Sequence, residues 1–285
     1  MVQLRVVSIA ALGVCLAAAA DPAFLRRDLP DVRPQPDDLT AGVAGASYRP
    51  LFGAGDRDAV QLKTVARYGE LTLDAGRSSA IVSYPAEEQI YFIAEGAGEL
   101  KYGSDTVPVR ANDFAYLPPG VPHGIASGSA GPLRCIVMGY RIPAGAPVQP
   151  PPKLLLANAD DVGLQVLGQH GPTTQFKLLM GLTSSRRDKL AAARVMNSLF
   201  LMDFAPDGTN IPHNHPAEEE IYLLLRGKGE IVAGLDAAGK EIRHPAGPGA
   251  AFFFKPGTQV GYYSGAREGQ PHDLILAVRS SLPRP

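Results

Sequence analysis

The sequence predicts an all-β chain folded as two tandem barrels, and three observations carry that prediction. First, residues 85–99 and 216–230 align without a gap, so the chain is internally duplicated. Second, short runs of strand-forming residues recur at regular spacing, with Gly, Asp, Asn and Pro between them, the pattern of a β-sandwich or barrel. Third, 26 Pro and 31 Gly in 285 residues suit many tight turns and leave little room for long helices.

Residues 1–20 have the make-up of a secretory signal peptide. One positive charge precedes a mostly apolar run over 6–16, too short to span a bilayer, and Ala18-Ala19-Ala20 stands before Asp21. An uncleaved membrane anchor is the alternative; cleavage gives a periplasmic or secreted protein with no membrane contact. Residues 21–59, rich in Pro, Asp and Arg, read as an N-terminal arm wrapped over the body with one short strand. Residues 60–143 form the first barrel, with strands expected at 68–74, 80–84, 88–93, 98–102, 106–110, 113–117 and 133–140. Residues 144–152 are a stiff Pro-rich linker. Residues 153–283 form the second barrel, with strands at 153–167, 174–182, 195–204, 229–235, 241–244, 250–254 and 273–278. A polar loop at 183–188 has no equal in the first copy and is expected to cover the pocket of the second barrel.

Composition excludes several functions. The formal net charge is -1, without the basic patch or stripe that a nucleic-acid partner requires. There is no Gly-rich phosphate loop with a lysine and no Gly-x-Ser-x-Gly elbow. The two cysteines are Cys15 and Cys135. Loss of Cys15 with the signal leaves Cys135 unpaired in an apolar run, where it reads as a small buried hydrophobe. The run Phe252-Phe253-Phe254 reads as a strand covered on both faces.

Chemistry concentrates in the second copy. His213 and His215 sit two residues apart, which on a strand puts both imidazoles on one face. A carboxylate cluster, Glu218-Glu219-Glu220, follows the turn at Pro216, and an apolar run ends at Gly227. Two neutral imidazoles and one carboxylate suit a divalent transition metal with positions left open. In the first copy Val82 stands for His213, Tyr84 for His215 and Gln89 for Glu220, so that copy has lost the set. Two surface histidines on a loop would be the bland alternative. Glu220 directly precedes the apolar run; Glu219 points to the opposite side of a strand, and Glu218 and Glu219 read as turn residues in solvent.

The motifs resemble those of the cupin superfamily, and more closely the bicupins, which carry two double-stranded β-helix (jelly-roll) barrels on one chain. His213-x-His215, four residues, Glu220, six residues, Gly227 fits the family's first motif. Pro118-Pro119-Gly120-Val121-Pro122-His123 fits the second motif in the first copy. In the second copy that motif reads Pro256-Gly257-Thr258-Gln259-Val260, with Val260 at the fourth ligand's place. The resemblance therefore implies a reduced metal site of His213, His215 and Glu220 in the second barrel, and a vestigial site of Tyr84, Gln89 and His123 in the first. Gln259, Tyr262 or His272 could approach the vacant position.

The resemblance to bicupin dioxygenases implies an oxidoreductase acting on a small organic substrate with one divalent transition metal (Fe, Mn or Zn), and the signal-like leader adds the expectation that it is exported. Isomerases and decarboxylases share the frame. Tyr222 and Arg226 keep step with Glu220 along the strand and are expected to face the same interior, where Arg226 could meet a carboxylate. The alternative is a non-catalytic exported binder of a small molecule or sugar with a structural metal. A small-molecule partner is expected, in a monomer or homodimer.

Overall fold

The computed structural model describes residues 23–146, 148–168 and 170–281. The expected signal peptide lies outside the described residues. Among the described residues no helix is long and apolar enough to cross a membrane.

The first half of the chain provides β1 (Phe24–Asp28), β2 (Ala46–Gly53), β3 (Val65–Leu73), β4 (Glu87–Glu95) and β5 (Ala97–Tyr102). It continues with β6 (Asp105–Arg110), β7 (Asp113–Leu117), β8 (His123–Ser127) and β9 (Leu133–Arg141). After the linker come β10 (Leu155–Asn158), β11 (Thr174–Leu182), β12 (Leu190–Ala193), β13 (Met196–Phe204), β14 (His213–Asn214) and β15 (Glu218–Arg226). The chain closes with β16 (Gly229–Leu235), β17 (Glu241–Ala246), β18 (Ala250–Phe254), β19 (Gln259–Ser264) and β20 (Asp273–Ser281). The expected strand at 80–84 reduces to a single bridge, Val82 opposite His123. The expected strand at 153–167 reduces to β10, one short 3-10 turn and a single bridge, Gln165 opposite Phe176.

Each barrel pairs one large sheet with one small one. The orders are β10-β7-β4-β9-β3-β2 with β6-β5-β8, and β1-β18-β15-β20-β13-β11-β12 with β14-β19-β16-β17. The duplication is visible in these orders, and so is an exchange. The arm is not a single cover over the body: β1 is the edge of the second barrel's large sheet, against β18, while β2 pairs with β3 in the first. Reciprocally, β10 follows the linker but pairs with β7 of the first barrel. Each barrel thus caps the exposed edge of the other, where unpaired backbone groups would otherwise recruit a foreign strand.

Strand alternation explains why the runs are apolar on both faces. On β4, Ile90 and Phe92 point into the layer between the barrels, and Tyr91 and Ile93 into the first barrel's interior. On β15, Ile221 and Leu223 enter the same shared layer, and Tyr222 and Leu224 the second interior. The shared layer also takes Tyr68, Met138, Leu199 and Phe253, all fully buried, so the two barrels form one body. Cys135 is buried in the first interior and free.

The same alternation corrects the expectation that Glu219 lies in solvent. Glu219 shares a face with Ile221 and Leu223 and is 1% exposed. Its carboxylate accepts the Lys63 and Thr64 backbone N–H groups, both at 2.7 Å, and the Thr64 hydroxyl. Its twin Glu88 accepts the backbone N–H groups of Arg194, Val195 and Met196 at 2.8–2.9 Å, and the Tyr116 hydroxyl. Each barrel therefore inserts one carboxylate into the strand start of the other.

Candidate metal centre

The second barrel opens into a narrow cleft of about 40 Å³. Its walls are Phe176, Leu178, Phe200 and Met202, and its polar residues include His213, His215, Glu220, Tyr222 and Arg279. β14 brings His213 to the wall, opposite Val260 on β19. β15 brings Glu220, whose neighbour in register on β20 is Arg279.

The polar atoms converge. His213 Nε2 lies 3.0 Å from His215 Nε2, and His215 Nε2 lies 3.6 Å from Glu220 Oε2. His213 Nδ1–H donates to the Ile211 carbonyl at 3.0 Å, so the Nε2 lone pair faces the cleft. Burial pushes the His213 imidazole down to about 4, which keeps it neutral. Glu220 is 2% exposed and burial raises its pKa, while Arg279 and His215 pull it back. Glu220 Oε2 is buried without a hydrogen-bond partner. Such an orphaned acceptor signals a missing cation or donor.

Glu218 is also not a solvent residue. Its Oε2 lies 3.1 Å from His215 Nδ1 and 3.3 Å from Arg279 Nη1, and Asn197 donates to its other oxygen. The His215 contact, its largest influence, holds the carboxyl down at about 2. His215 Nδ1 also lies 3.3 Å from Arg279 Nη1. His215 Nε2–H donates to the inward-facing His213 Nε2, and His215 Nδ1 faces both Arg279 and Glu218. With a cation on both Nε2 atoms the His215 proton belongs on Nδ1, and Glu218 is in place to accept it. A carboxylate behind a ligating imidazole is the usual outer partner of a metal-bound histidine.

Among the described residues no three His, Cys, Asp or Glu side chains already surround one point as ligands do. The donors here are drawn onto one another instead. Their chemistry still fits a cation: two nitrogens 3.0 Å apart can both reach one ion at about 2.1 Å, and the unpartnered Glu220 oxygen adjoins them.

Tyr222 lines the cleft but lies deep, its hydroxyl accepting from Asn210 Nδ2 at 3.2 Å. Arg226 does not face this interior. The strand register shifts between Leu224 and Arg226, and the exposed Arg226 donates to the His272 carbonyl at 2.9 Å. Its intended role falls to Arg279, whose position on β20 no motif marks. None of the expected fourth ligands lines the cleft: Gln259 lies opposite Asn214, Tyr262 donates to Asp273 at 2.8 Å, and His272 pairs with Asp203. His170 and Arg187 do approach. His170 lines the cleft itself, and both flank the basin at its mouth beside His213 and Arg279. Arg187 belongs to the polar loop, which carries it to Ser198 Oγ at 3.0 Å.

The first barrel assembles Tyr84, Gln89 and His123 at the matching place. His123 packs against the Tyr84 ring at 5.9 Å, and Gln89 Nε2 donates to Glu87 at 2.7 Å. Burial lowers the pKa of His123, as it does that of His213. There Arg67 provides an internal cation, 4.0 Å over the Tyr84 ring and paired with Glu87 and Asp37. The partners across the strand pair are also exchanged, Val82 facing His123 here and His213 facing Val260 there.

A family model described as "Cupin domain" matches residues 69–139 and 200–272. Germin-like protein subfamily 2 member 4 of Arabidopsis thaliana is 30% identical over 103 residues, 36% of this chain and 46% of that protein. The match thus spans less than half the length of that relative. Among solved structures, the putative glyoxylate induced protein from Pseudomonas aeruginosa has a TM-score of 0.70 at 15% identity, covering 96% of this chain and 94% of that one. Oxalate decarboxylase from Bacillus subtilis has a TM-score of 0.65 at 12% identity, covering 93% and 80%. At these identities the likeness is one of fold, two barrels on one chain.

Proposed function

The chain belongs to the cupin family, and from that premise we propose that it is an exported metal-dependent enzyme, an oxidoreductase of the dioxygenase type, acting on a small organic anion. The observation that carries the reading is the convergence of His213, His215 and the unpartnered Glu220 oxygen beside a guanidinium. Similarity to germin-like proteins and to oxalate decarboxylase supports a metal-dependent activity in general. The bound metal, iron, manganese or zinc by its donor set, supplies a Lewis acid with open positions or, as iron or manganese, a redox centre.

The chain's own residues do the rest. His213 is locked by the Ile211 carbonyl with its lone pair inward. Glu218 stands behind His215 and fixes that ring. Arg279 lies 3.9 Å from Glu220 Oε1, offsets its buried charge, and borders both the cleft and its mouth. With Arg187 it lines the mouth with guanidinium groups, each beside a carboxylate of its own, which can meet a carboxylate of a small anionic substrate. The aromatic and aliphatic walls exclude water and limit the substrate to a small one. The signal-like leader supports export, and a monomer or homodimer is the proposed assembly.

The test is elemental analysis of the purified mature protein, followed by oxygen uptake with a panel of flavonols and small keto and hydroxy acids. Bound metal with turnover that Glu220→Gln abolishes is expected. Metal without oxygen uptake would remove the oxidoreductase assignment and favour the non-catalytic binder. Absence of metal uptake would remove both.

A further inference from the structure

We propose that His170 is the missing fourth ligand of this centre, supplied from outside the two sequence motifs. The inference rests on the metal-binding reading above and adds a residue that neither motif contains. The usual fourth position is closed: Val260, directly opposite His213, is apolar and 2% exposed. His170 reaches the same cleft from the stretch between β10 and β11, and lines it together with His213, His215 and Glu220.

Its geometry is that of a prepared ligand. His170 Nδ1 lies 2.7 Å from the Asn210 carbonyl, so Nδ1–H donates and Nε2 keeps its lone pair. His213 makes the same bond to the next carbonyl, that of Ile211. Two consecutive backbone carbonyls thus set two imidazoles in one tautomer. A backbone carbonyl on the far nitrogen is a common support for a metal-bound histidine.

The rings are also spaced for a shared ion. A metal–nitrogen bond of about 2.1 Å plus the ring's own radius puts a ligating imidazole's centroid about 3.2 Å from the cation. Two such rings at right angles about one cation have centroids roughly 4.5 Å apart. The His213 ring centroid lies 4.9 Å from that of His170 and 4.8 Å from that of His215, with interplanar angles of 67° and 90°. His213 neighbours both other rings, and all three side chains are only half-buried, so rotation about their side-chain bonds is open to gather them on one ion. The result is three imidazoles and one carboxylate, with one imidazole on a segment outside the barrel strands.

The experiment loads the full mature chain with Mn(II), titrates its affinity, and counts coordinated imidazole nitrogens by pulsed electron paramagnetic resonance. Wild type is expected to show three. His170→Gln is expected to show two, with affinity lowered at least tenfold, and the double variant His170→Gln/Val260→His to regain three. Unchanged affinity and nitrogen count in His170→Gln, while His215→Ala binds no metal, overturns this proposal and leaves the metal-binding reading intact. A wild-type chain that takes up no Mn(II), Fe(II) or Zn(II) overturns both.

Discussion

Replacing Glu219 with alanine tests whether the barrels are locked by carboxylates rather than by apolar contact alone. The side chain accepts two backbone N–H groups at 2.7 Å and the Thr64 hydroxyl. The hydroxyl retains a partner, because Ser280 Oγ is 2.6 Å away. The Lys63 amide belongs to an exposed residue and can turn to water, but Thr64 is 1% exposed and its amide cannot, nor can that of Val65, equally buried and bonded to Glu219 more weakly at 3.4 Å. One orphaned buried amide costs about 1–3 kcal/mol, and a lost bond to a charged acceptor about 1.5–3 kcal/mol. The expected loss is therefore about 2.5–6 kcal/mol, a large share of a typical stability of about 5–15 kcal/mol. Glu219→Gln keeps one acceptor and should lose roughly half as much by the same reckoning. Urea denaturation followed by both fluorescence and far-UV circular dichroism measures it. Separation of the two curves in Glu219→Ala would show the barrels melting independently. The exposed Glu99→Ala is the control, expected within about 0.5 kcal/mol of wild type. A Glu219→Ala loss below about 1 kcal/mol, with coincident curves, would refute the clamp, since it falls under the single-donor penalty.

Other outcomes follow from the site and the exchanged strands. Glu218→Gln should weaken metal binding by about 10–100-fold while leaving the fold intact, because it removes the partner behind His215; metal titration checks it. His215→Ala should abolish metal content with both barrels still folded, read from elemental analysis beside circular dichroism; a melted second barrel would make the metal part of the fold. An unfolded histidine titrates near 6.5, whereas His213 is held at about 4, so between those values the unfolded chain binds more protons. Stability of the metal-free protein should accordingly fall as pH drops from about 6.5 to about 4, and His213→Gln should flatten that slope in thermal melts. A chain begun at residue 32 loses β1 and bares the Phe252–Phe254 edge of β18. It should aggregate where one begun at residue 23 does not, as light scattering would register.

Much was legible in the sequence because duplication and spacing are local properties. The ungapped match of residues 85–99 with 216–230 establishes two equivalent units, and His213, His215 and Glu220 announce one equipped copy by residue type and distance alone. Period-two alternation also places Glu219 on the face opposite Glu220. It does not say what that face meets. Only the packing of one barrel on the other turns Glu219 and Glu88 from solvent carboxylates into reciprocal acceptors. Arg226 failed as a site residue for the same kind of reason: alternation assumes an unbroken strand, and the register shift after Leu224 re-aims it.

The amino-acid order by itself determined which side chains could hold a cation, since donor chemistry belongs to each residue wherever it stands. Tertiary structure alone decided who joins them. Arg279 enters through pairing of strands some sixty residues apart, and His170 and Arg187 through loops whose paths no periodicity records. Nothing local fixes such approaches; they arise when the closing of a barrel brings distant backbone to the mouth of the same cleft.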